Sequence, residues 1–427
     1  MSEEEVSHMS EMLHQKLEKF KHEPFVVSMD RNDPNSPLYS ITSFKNLRLK
    51  EQLLKALYKM DYHMPSKIQE AALPLLLVEP PINMIAQSQS GTGKTATFVL
   101  AMLSRIMPQN KWPQSLCLAP TYELALQIGQ VVEKLAEFLP EIRVKYAVRG
   151  EVLSRGEKIE EQIIVGTPGK MLDWVVKYRA IDLSKIICFI LDEADVMITQ
   201  QGHQEQSIRL YKELEKVNTH CQSLLFSATF DENVRLFADS MVKDAINITL
   251  RRNEQTLSNI KQFYVKCANR EEKYQVLMDI YGGLTIASAI IFCYTRKSAE
   301  WIADRMKERG HEVVVLHGDL SIEERAWTIR QFKDNVYKVL VTTNVCARGI
   351  DVTQVSMVVN YDPPVTFTEN PEPDFKTYLH RIGRAGRFGK AGIAINLIQF
   401  NLLLFVAGTT IHPLDTKDLE QLEALGN

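Results

Sequence analysis

The 427-residue chain has little of what marks several specialised protein classes. Its six cysteines, at 117, 188, 221, 267, 293 and 346, never form C-x-x-C and sit mostly in apolar runs, where cysteine acts as a small hydrophobe. Neither a zinc site nor a disulfide scaffold is indicated, and a reducing cytosolic or nuclear compartment is expected. Charge of one sign is also lacking, with 50 Lys and Arg against 53 Asp and Glu, so any polyanion site must be local. The N-terminus MSEEEVSHMS has no basic or apolar leader segment. No uninterrupted run reaches membrane length. The nearest, residues 391–408, is broken by Asn396, Gln399 and Asn401, so no membrane span is expected.

What is present is 45% apolar residues, enough for two ordinary domains. Residues 1–40 are polar and end in the turn-rich Asp33-Pro34-Asn35-Ser36-Pro37, which reads as an extension. From Phe44 onward short apolar runs alternate with amphipathic stretches, the pattern of a parallel sheet covered by helices on both faces. The runs predict strands at 116–119, 163–165, 186–191 and 224–226, then at 290–293, 313–316, 339–341, 357–359 and 393–395. Polar clusters follow them: Pro120-Thr121, Thr167-Pro168-Gly169, Asp192-Glu193, Ser227-Ala228-Thr229, Tyr294-Thr295, His317-Gly318-Asp319, Thr342-Thr343 and Asn360-Tyr361-Asp362. In an open α/β sheet such clusters gather at the carboxyl edge, where ligands bind. The charged stretch from Arg251 to Gln255 divides the two sets and is the candidate linker.

One string has phosphate chemistry. Residues 86–95, AQSQSGTGKT, follow an apolar stretch and open an amphipathic run. Gly91 and Gly93 let the backbone curl so that amides point at phosphate oxygens, with Ser90 and Thr92 in the same loop. Lys94 would reach the β- and γ-phosphates of a nucleotide and Thr95 would ligate Mg²⁺. The strict G-x-x-x-x-G-K-[ST] pattern fails at its first position, where Ser88 stands. Asp192, closing the most hydrophobic strand, is a candidate Mg²⁺ ligand, and Glu193 is placed to polarise an attacking water. No Asn-Lys-x-Asp guanine signature occurs, which disfavours a GTPase. The second half has no phosphate loop but carries His380-Arg381-Ile382-Gly383-Arg384-Ala385-Gly386-Arg387-Phe388-Gly389-Lys390, whose guanidiniums suit a phosphoryl group in flight.

These strings, in this order, resemble the DEAD-box RNA helicases over residues 44–398: Phe44 with PSKIQ, AQSQSGTGKT, PTYELA, TPG, DEAD, SAT, ARGID and HRIGRAGR. The resemblance implies two RecA-like doubly wound parallel-sheet α/β domains, residues 41–251 and 259–427, joined by a linker at 252–258 and flanking an interdomain cleft. It implies that Gln69 reads adenine, with Phe44 and Tyr62 as stacking aromatics. Asp351 would be a nucleotide contact, and Arg384 and Arg387 the γ-phosphate arginines. Asp195, Ser227, Thr229 and His380 would couple the ATP site to RNA, which Thr121, Arg155, Thr167, Gly169, Arg296, Thr343 and Arg348 would hold mainly by phosphate and ribose. The implied activity is an ATP- and Mg²⁺-dependent RNA helicase that unwinds locally. An ATP-gated RNA clamp or a translation-type helicase of the same family stays open as an alternative.

Tyr122 stands where the family usually has arginine. With RNDPNSPLYS, DEADVMI, QGHQ and TTNVCARGID, it is similar to the subfamily that remodels messenger RNA–protein particles during nuclear export, and equally to that subfamily's testis-enriched paralogue. That similarity implies a monomer acting in cytoplasm and nucleus, up to the cytoplasmic face of the nuclear pore. Its implied partners are RNA, a cytoplasmic-face nucleoporin and an inositol-polyphosphate-assisted activator. Residues 399–412, QFNLLLFVAGTTIH, depart from the polar helix usual for the family. In the N-terminal extension, Met9, Leu13, Leu17 and Phe20 recur on one helical face, capped by Ser7 or Ser10, and predict a regulatory helix.

Overall fold

The computed structural model describes residues 25–26, 43–47, 49–88, 91–154, 156–249, 260–283, 288–344, 355–366, 372–386, 391–399 and 411–418. The expected N-terminal helix, the linker at 252–258, most of the unusual segment 399–412, and Ser90, Arg155, Arg348, Asp351 and Arg387 lie outside the described residues. The chain divides into two compact units, residues 1–251 and 252–427.

The first unit is built on an eight-stranded, all-parallel sheet. In chain order its strands are β1 (Phe25–Val26), β2 (Met84–Gln87), β3 (Ser115–Leu118), β4 (Val144–Ala147), β5 (Ile163–Gly166), β6 (Cys188–Leu191), β7 (Gln222–Ser227) and β8 (Ile246–Thr249). In space the order is β1-β8-β2-β7-β6-β3-β5-β4. Side chains alternate strictly between two cores. Cys188 and Ile190 join Phe44, Leu53, Phe98 and Ile128 on one face, while Phe189 and Leu191 join Trp174, Leu210 and Phe237 on the other. Burial on both faces explains why the central strands read as unbroken apolar runs.

The second unit has a seven-stranded parallel sheet of β9 (Ile260–Lys266), β10 (Ala289–Phe292), β11 (Val313–Leu316), β12 (Val339–Thr342), β13 (Met357–Asn360), β14 (Gly392–Ile398) and β15 (His412–Pro413). Its spatial order is β11-β12-β10-β13-β14-β9-β15. Ala289 and Ile291 face one core, Ile290 and Phe292 the other. Both units are therefore doubly wound α/β layers, as expected.

Every strand predicted from an apolar run is present, with ends shifted by no more than three residues. The run 186–191 pairs as a strand only from Cys188, because the preceding Leu183–Lys185 forms a 3₁₀ turn. Strands β4, β8 and β9 carry no such run. Val144-Lys145-Tyr146-Ala147 and Ile260-Lys261-Gln262-Phe263 interleave polar residues because these strands lie at or near sheet edges, where burial is incomplete. The extension also does more than the polar reading of residues 1–40 implied, since Phe25–Val26 pairs with Ile248–Thr249. Beyond β14 the chain returns to pair His412–Pro413 with Phe263–Tyr264, and Leu414 enters the core. Among the described residues no helix is long and apolar enough to cross a membrane.

Candidate functional site

In the first unit the spatial order puts β2, β7 and β6 side by side, so the loops that carry AQSQSGTGKT, Ser-Ala-Thr and Asp-Glu-Ala-Asp emerge together. Their registers agree, with Gln87 level with Ser227. The amide of Ser88 donates to the carbonyl of Ser227 (2.9 Å), tying the phosphate-loop start to the next strand. Where the strict pattern asks for glycine, the buried Ser88 hydroxyl hydrogen-bonds that of Thr92 inside the loop.

The helix Lys94–Arg105 begins at Gly93, held at φ +99°. The backbone conformation demands glycine, and a Cβ there would lie 2.8 Å from Gln69 Nε2 and 3.0 Å from Ser66 Oγ, displacing the Gln69 amide. Gln69 is buried between two elements. Its Oε1 accepts from the Ser66 amide (2.8 Å), closing the capping box of the helix Lys67–Leu76, and its Nε2 reaches the Gly93 carbonyl (3.4 Å). Thr97 Oγ1 donates to the same carbonyl (3.0 Å).

Lys94 is 5% exposed. Its ammonium lies 3.6 Å from Glu193 Oε1 and has no hydrogen-bond partner among the described residues. Buried cations are ordinarily satisfied, so this donor fits a phosphate acceptor. Asp192 receives the Glu193 amide (2.9 Å), and burial pushes its carboxyl up to about 7, against the lowering pull of Lys94. A buried carboxyl pushed up in this way suits a divalent cation, whose charge would offset desolvation. Glu193 sits at φ +52°, ψ +52°, an uncommon conformation for a non-glycine residue that turns the strand end into the helix Ala194–Thr199.

Asp195 joins this cluster to β7. Ser227 Oγ lies 3.0 Å from its Oδ1, Thr229 Oγ1 donates to its Oδ2 (3.0 Å), and its own amide donates to Ser227 Oγ (3.3 Å). Hydrogen bonds to a buried carboxylate are each worth about 1.5–3 kcal/mol, so Asp195 ties Ser227 and Thr229 firmly together.

The RNA candidates Thr121, Thr167 and Gly169 follow β3 and β5, the next two strands along the sheet. Thr121 caps the helix Tyr122–Leu135, its hydroxyl accepting the Leu124 amide (3.2 Å) while keeping its own O–H to donate. A Cβ on Gly169 would come 3.0 Å from Gln206 Oε1. Gln206, in the QGHQ neighbourhood, borders this turn, and no spacing in the sequence pointed to it.

The two aromatic candidates separate. Phe44 is 0% exposed and packs in the first core, so its ring offers no free face for adenine in this structure, and the stacking expectation is corrected there. Tyr62 stays partly exposed against the same cluster.

In the second unit Arg296 and Thr343 follow the neighbouring strands β10 and β12. Arg296 opens the helix Arg296–Glu308 and forms an ion pair with Asp319, beyond β11. His380 lies on the helix Phe375–Ile382, and Arg384, 3% exposed, turns its Nε back to the His380 carbonyl (3.0 Å).

Residues 66–237 match the DEAD/DEAH box helicase family and residues 272–389 the helicase conserved C-terminal domain. The chain is 56% identical to human "ATP-dependent RNA helicase DDX19B" over 408 residues, 94% of this chain and 84% of that protein. It is 52% identical to human "ATP-dependent RNA helicase DDX25" over 423 residues, 98% and 86% of the two. Saccharomyces cerevisiae Dbp5 bound to RNA and ADP BeF3 superimposes with a TM-score of 0.83 at 44% identity, covering 91% of this chain and all of the other. A Dbp5 variant bound to Nup159, a Gle1 variant, IP6 and ADP gives 0.66 at 42% identity, over 88% and 98%. With the matched motifs spread across both units, the chain belongs to the DEAD-box family of ATP-dependent RNA helicases, with the RNA-stimulated ATPase activity of that family.

Proposed function

We propose that this helicase couples ATP hydrolysis to local RNA unwinding and to the remodelling of messenger RNA–protein particles in export from the nucleus. The observation that carries the catalytic half of this reading is the buried Lys94 ammonium, without a hydrogen-bond partner among the described residues, at the shared edge of β2, β7 and β6. Lys94 and the amides of Gly91, Thr92 and Gly93, with Ser90, hold the nucleotide phosphates, while Gln69 and Tyr62 face the base. Thr95 and Asp192 would hold Mg²⁺, which when bound neutralises phosphate charge. Glu193 takes the proton of the attacking water, and Arg384 and Arg387 stabilise the charge that develops as the terminal phosphoryl leaves. Asp351 adds a nucleotide contact.

Asp195, Ser227 and Thr229 link that site to the RNA side, with His380 on the second unit. RNA is held through Thr121, Arg155, Thr167, Gly169, Arg296, Thr343 and Arg348, by phosphate and ribose. ATP and RNA each engage both units, and hydrolysis with phosphate release ends that engagement. The protein works as a monomer, in cytoplasm and nucleus, at the cytoplasmic face of the pore. It is recruited there by a nucleoporin and activated by a Gle1-like partner with an inositol polyphosphate. The similarity to DDX19B and to Dbp5 supports this placement. RNA-stimulated ATPase measured beside unwinding of a short duplex tests the reading. Stimulated hydrolysis with strand separation is expected. Hydrolysis without separation would replace it with an RNA clamp, and DNA acting as well as RNA would overturn it.

A further inference from the structure

The string HRIGRAGR holds an arginine to which the reaction gives no role. Arg381 is fully buried, and its guanidinium is already committed. Nε and Nη2 donate to Asn344 Oδ1 at 2.9 and 2.5 Å, and Nη1 donates to Asn360 Oδ1 (3.0 Å) and to the Asp362 carbonyl (2.7 Å). Phe292 lies under the guanidinium, 5.0 Å from carbon to ring centroid. A fork whose donors converge on amide and carbonyl oxygens inside the unit is not available to a phosphate.

Its acceptors sit at functional places. Asn344 directly follows Thr343 at the end of β12, and Asn360 closes β13. The network continues inward from Asn360 Nδ2 to Asn396 Oδ1 (2.8 Å), from Asn396 Nδ2 to the Phe263 carbonyl (2.8 Å), and from Tyr378 Oη to Gln262 Oε1 (2.8 Å). On the other side, the Asp362 carboxylate receives Lys273 Nζ and the Tyr294 amide, each at 3.0 Å, just before Arg296. Arg381 itself lies one residue beyond His380 and three before Arg384.

We propose that Arg381 is a positioning residue: by clamping Asn344 it holds the RNA-contacting end of β12 and the segment carrying His380 and Arg384 as one body, so that RNA engagement sets the catalytic arginine. This rests on the reading of Thr343 and Arg384 given above. A buried guanidinium holding four hydrogen bonds to three residues gives a stiff joint, because separating the elements would strand a buried charge.

The test uses the full chain with Arg381→Met, Asn344→Leu, the double variant and Asn344→Asp. For each, stimulated kcat, the RNA concentration for half-maximal stimulation and the melting midpoint are measured. Arg381→Met and Asn344→Leu should each raise the half-saturating RNA concentration and lower stimulated kcat, together about 10- to 100-fold. The double variant should be no worse than either single. Asn344→Asp keeps oxygen acceptors for the guanidinium and should stay within a few-fold of the parent. A purely structural role would lower kcat through lost active protein while leaving the half-saturating RNA concentration unchanged, and that result overturns the proposal. So do losses that multiply in the double variant, or Asn344→Asp as impaired as Asn344→Leu. If Arg381→Met does not fold, the two Asn344 variants decide. Arg384→Ala is run alongside: retained turnover there refutes the role of Arg384, while the RNA half-saturation of the other variants still judges the clamp.

Discussion

Lys94 and Glu193 face each other across 3.6 Å in a buried pocket, yet their removal should have opposite consequences for nucleotide binding. Lys94→Ala deletes the ammonium that would meet phosphate, and truncating one side of a buried charge contact costs about 2–5 kcal/mol, which is about 30-fold or more in affinity. It also removes the one positive charge that lowers the Asp192 carboxyl, leaving that group more fully protonated and a poorer cation ligand. Glu193→Gln does the reverse, because Glu193 is among the charges that raise Asp192. Binding of nucleotide with Mg²⁺ should therefore hold or tighten, while turnover falls by about 10²- to 10⁴-fold with loss of the base. Titration with a fluorescent nucleotide and steady-state RNA-stimulated hydrolysis, on the same preparations, give both quantities. Equal loss of affinity in the two variants would refute the division of roles, as would Glu193→Gln turning over at the parental rate.

Arg384→Ala should lower stimulated turnover by about 10³-fold or more with RNA affinity little changed, and Arg387→Ala likewise, measured by phosphate release. Phe44→Ala should destabilise the first unit by about 3–5 kcal/mol in denaturant titration, as expected for a core aromatic, whereas Tyr62→Ala should weaken nucleotide binding with little change in stability. Gly93→Ala, at φ +99° and facing Gln69 at 2.8 Å, should abolish measurable nucleotide binding and lower the melting midpoint. If the expected N-terminal helix regulates the enzyme through Met9, Leu13, Leu17 and Phe20, deleting residues 1–22, which spares the paired Phe25–Val26, should raise RNA-independent ATPase activity and tighten RNA binding. Unchanged values for both would dismiss the regulatory helix.

The sequence by itself determined the chemistry and the layer type. Gly91, Gly93 and Lys94 in one loop, the carboxylates at 192–195 and the arginines from 381 carry meaning at short range, because phosphate and metal binding need particular groups at fixed separations along the chain. Strands buried on both faces announce themselves as apolar runs, so β3, β5, β6, β7 and β10 to β14 were legible, while β4, β8 and β9, with burial interrupted by polar residues, were not. Only the tertiary structure decided neighbourhoods. Chain order runs β2, β3, β5, β6, β7 through the first unit's motifs. The sheet instead places β2, β7 and β6 together and sets β3 and β5 beside them, which sorts the candidate nucleotide residues from the candidate RNA residues. Pairing between strands a hundred or more positions apart is set by the fit of two whole core faces, and no local pattern encodes it. The same holds for single side chains. Phe44 reads as a stacking aromatic and Arg381 as one more basic residue until the core closes over them, one sealed among leucines and phenylalanines and the other clasped by Asn344 and Asn360. Burial and partner are properties of the packed molecule, and in these two residues they reverse what the letters alone imply.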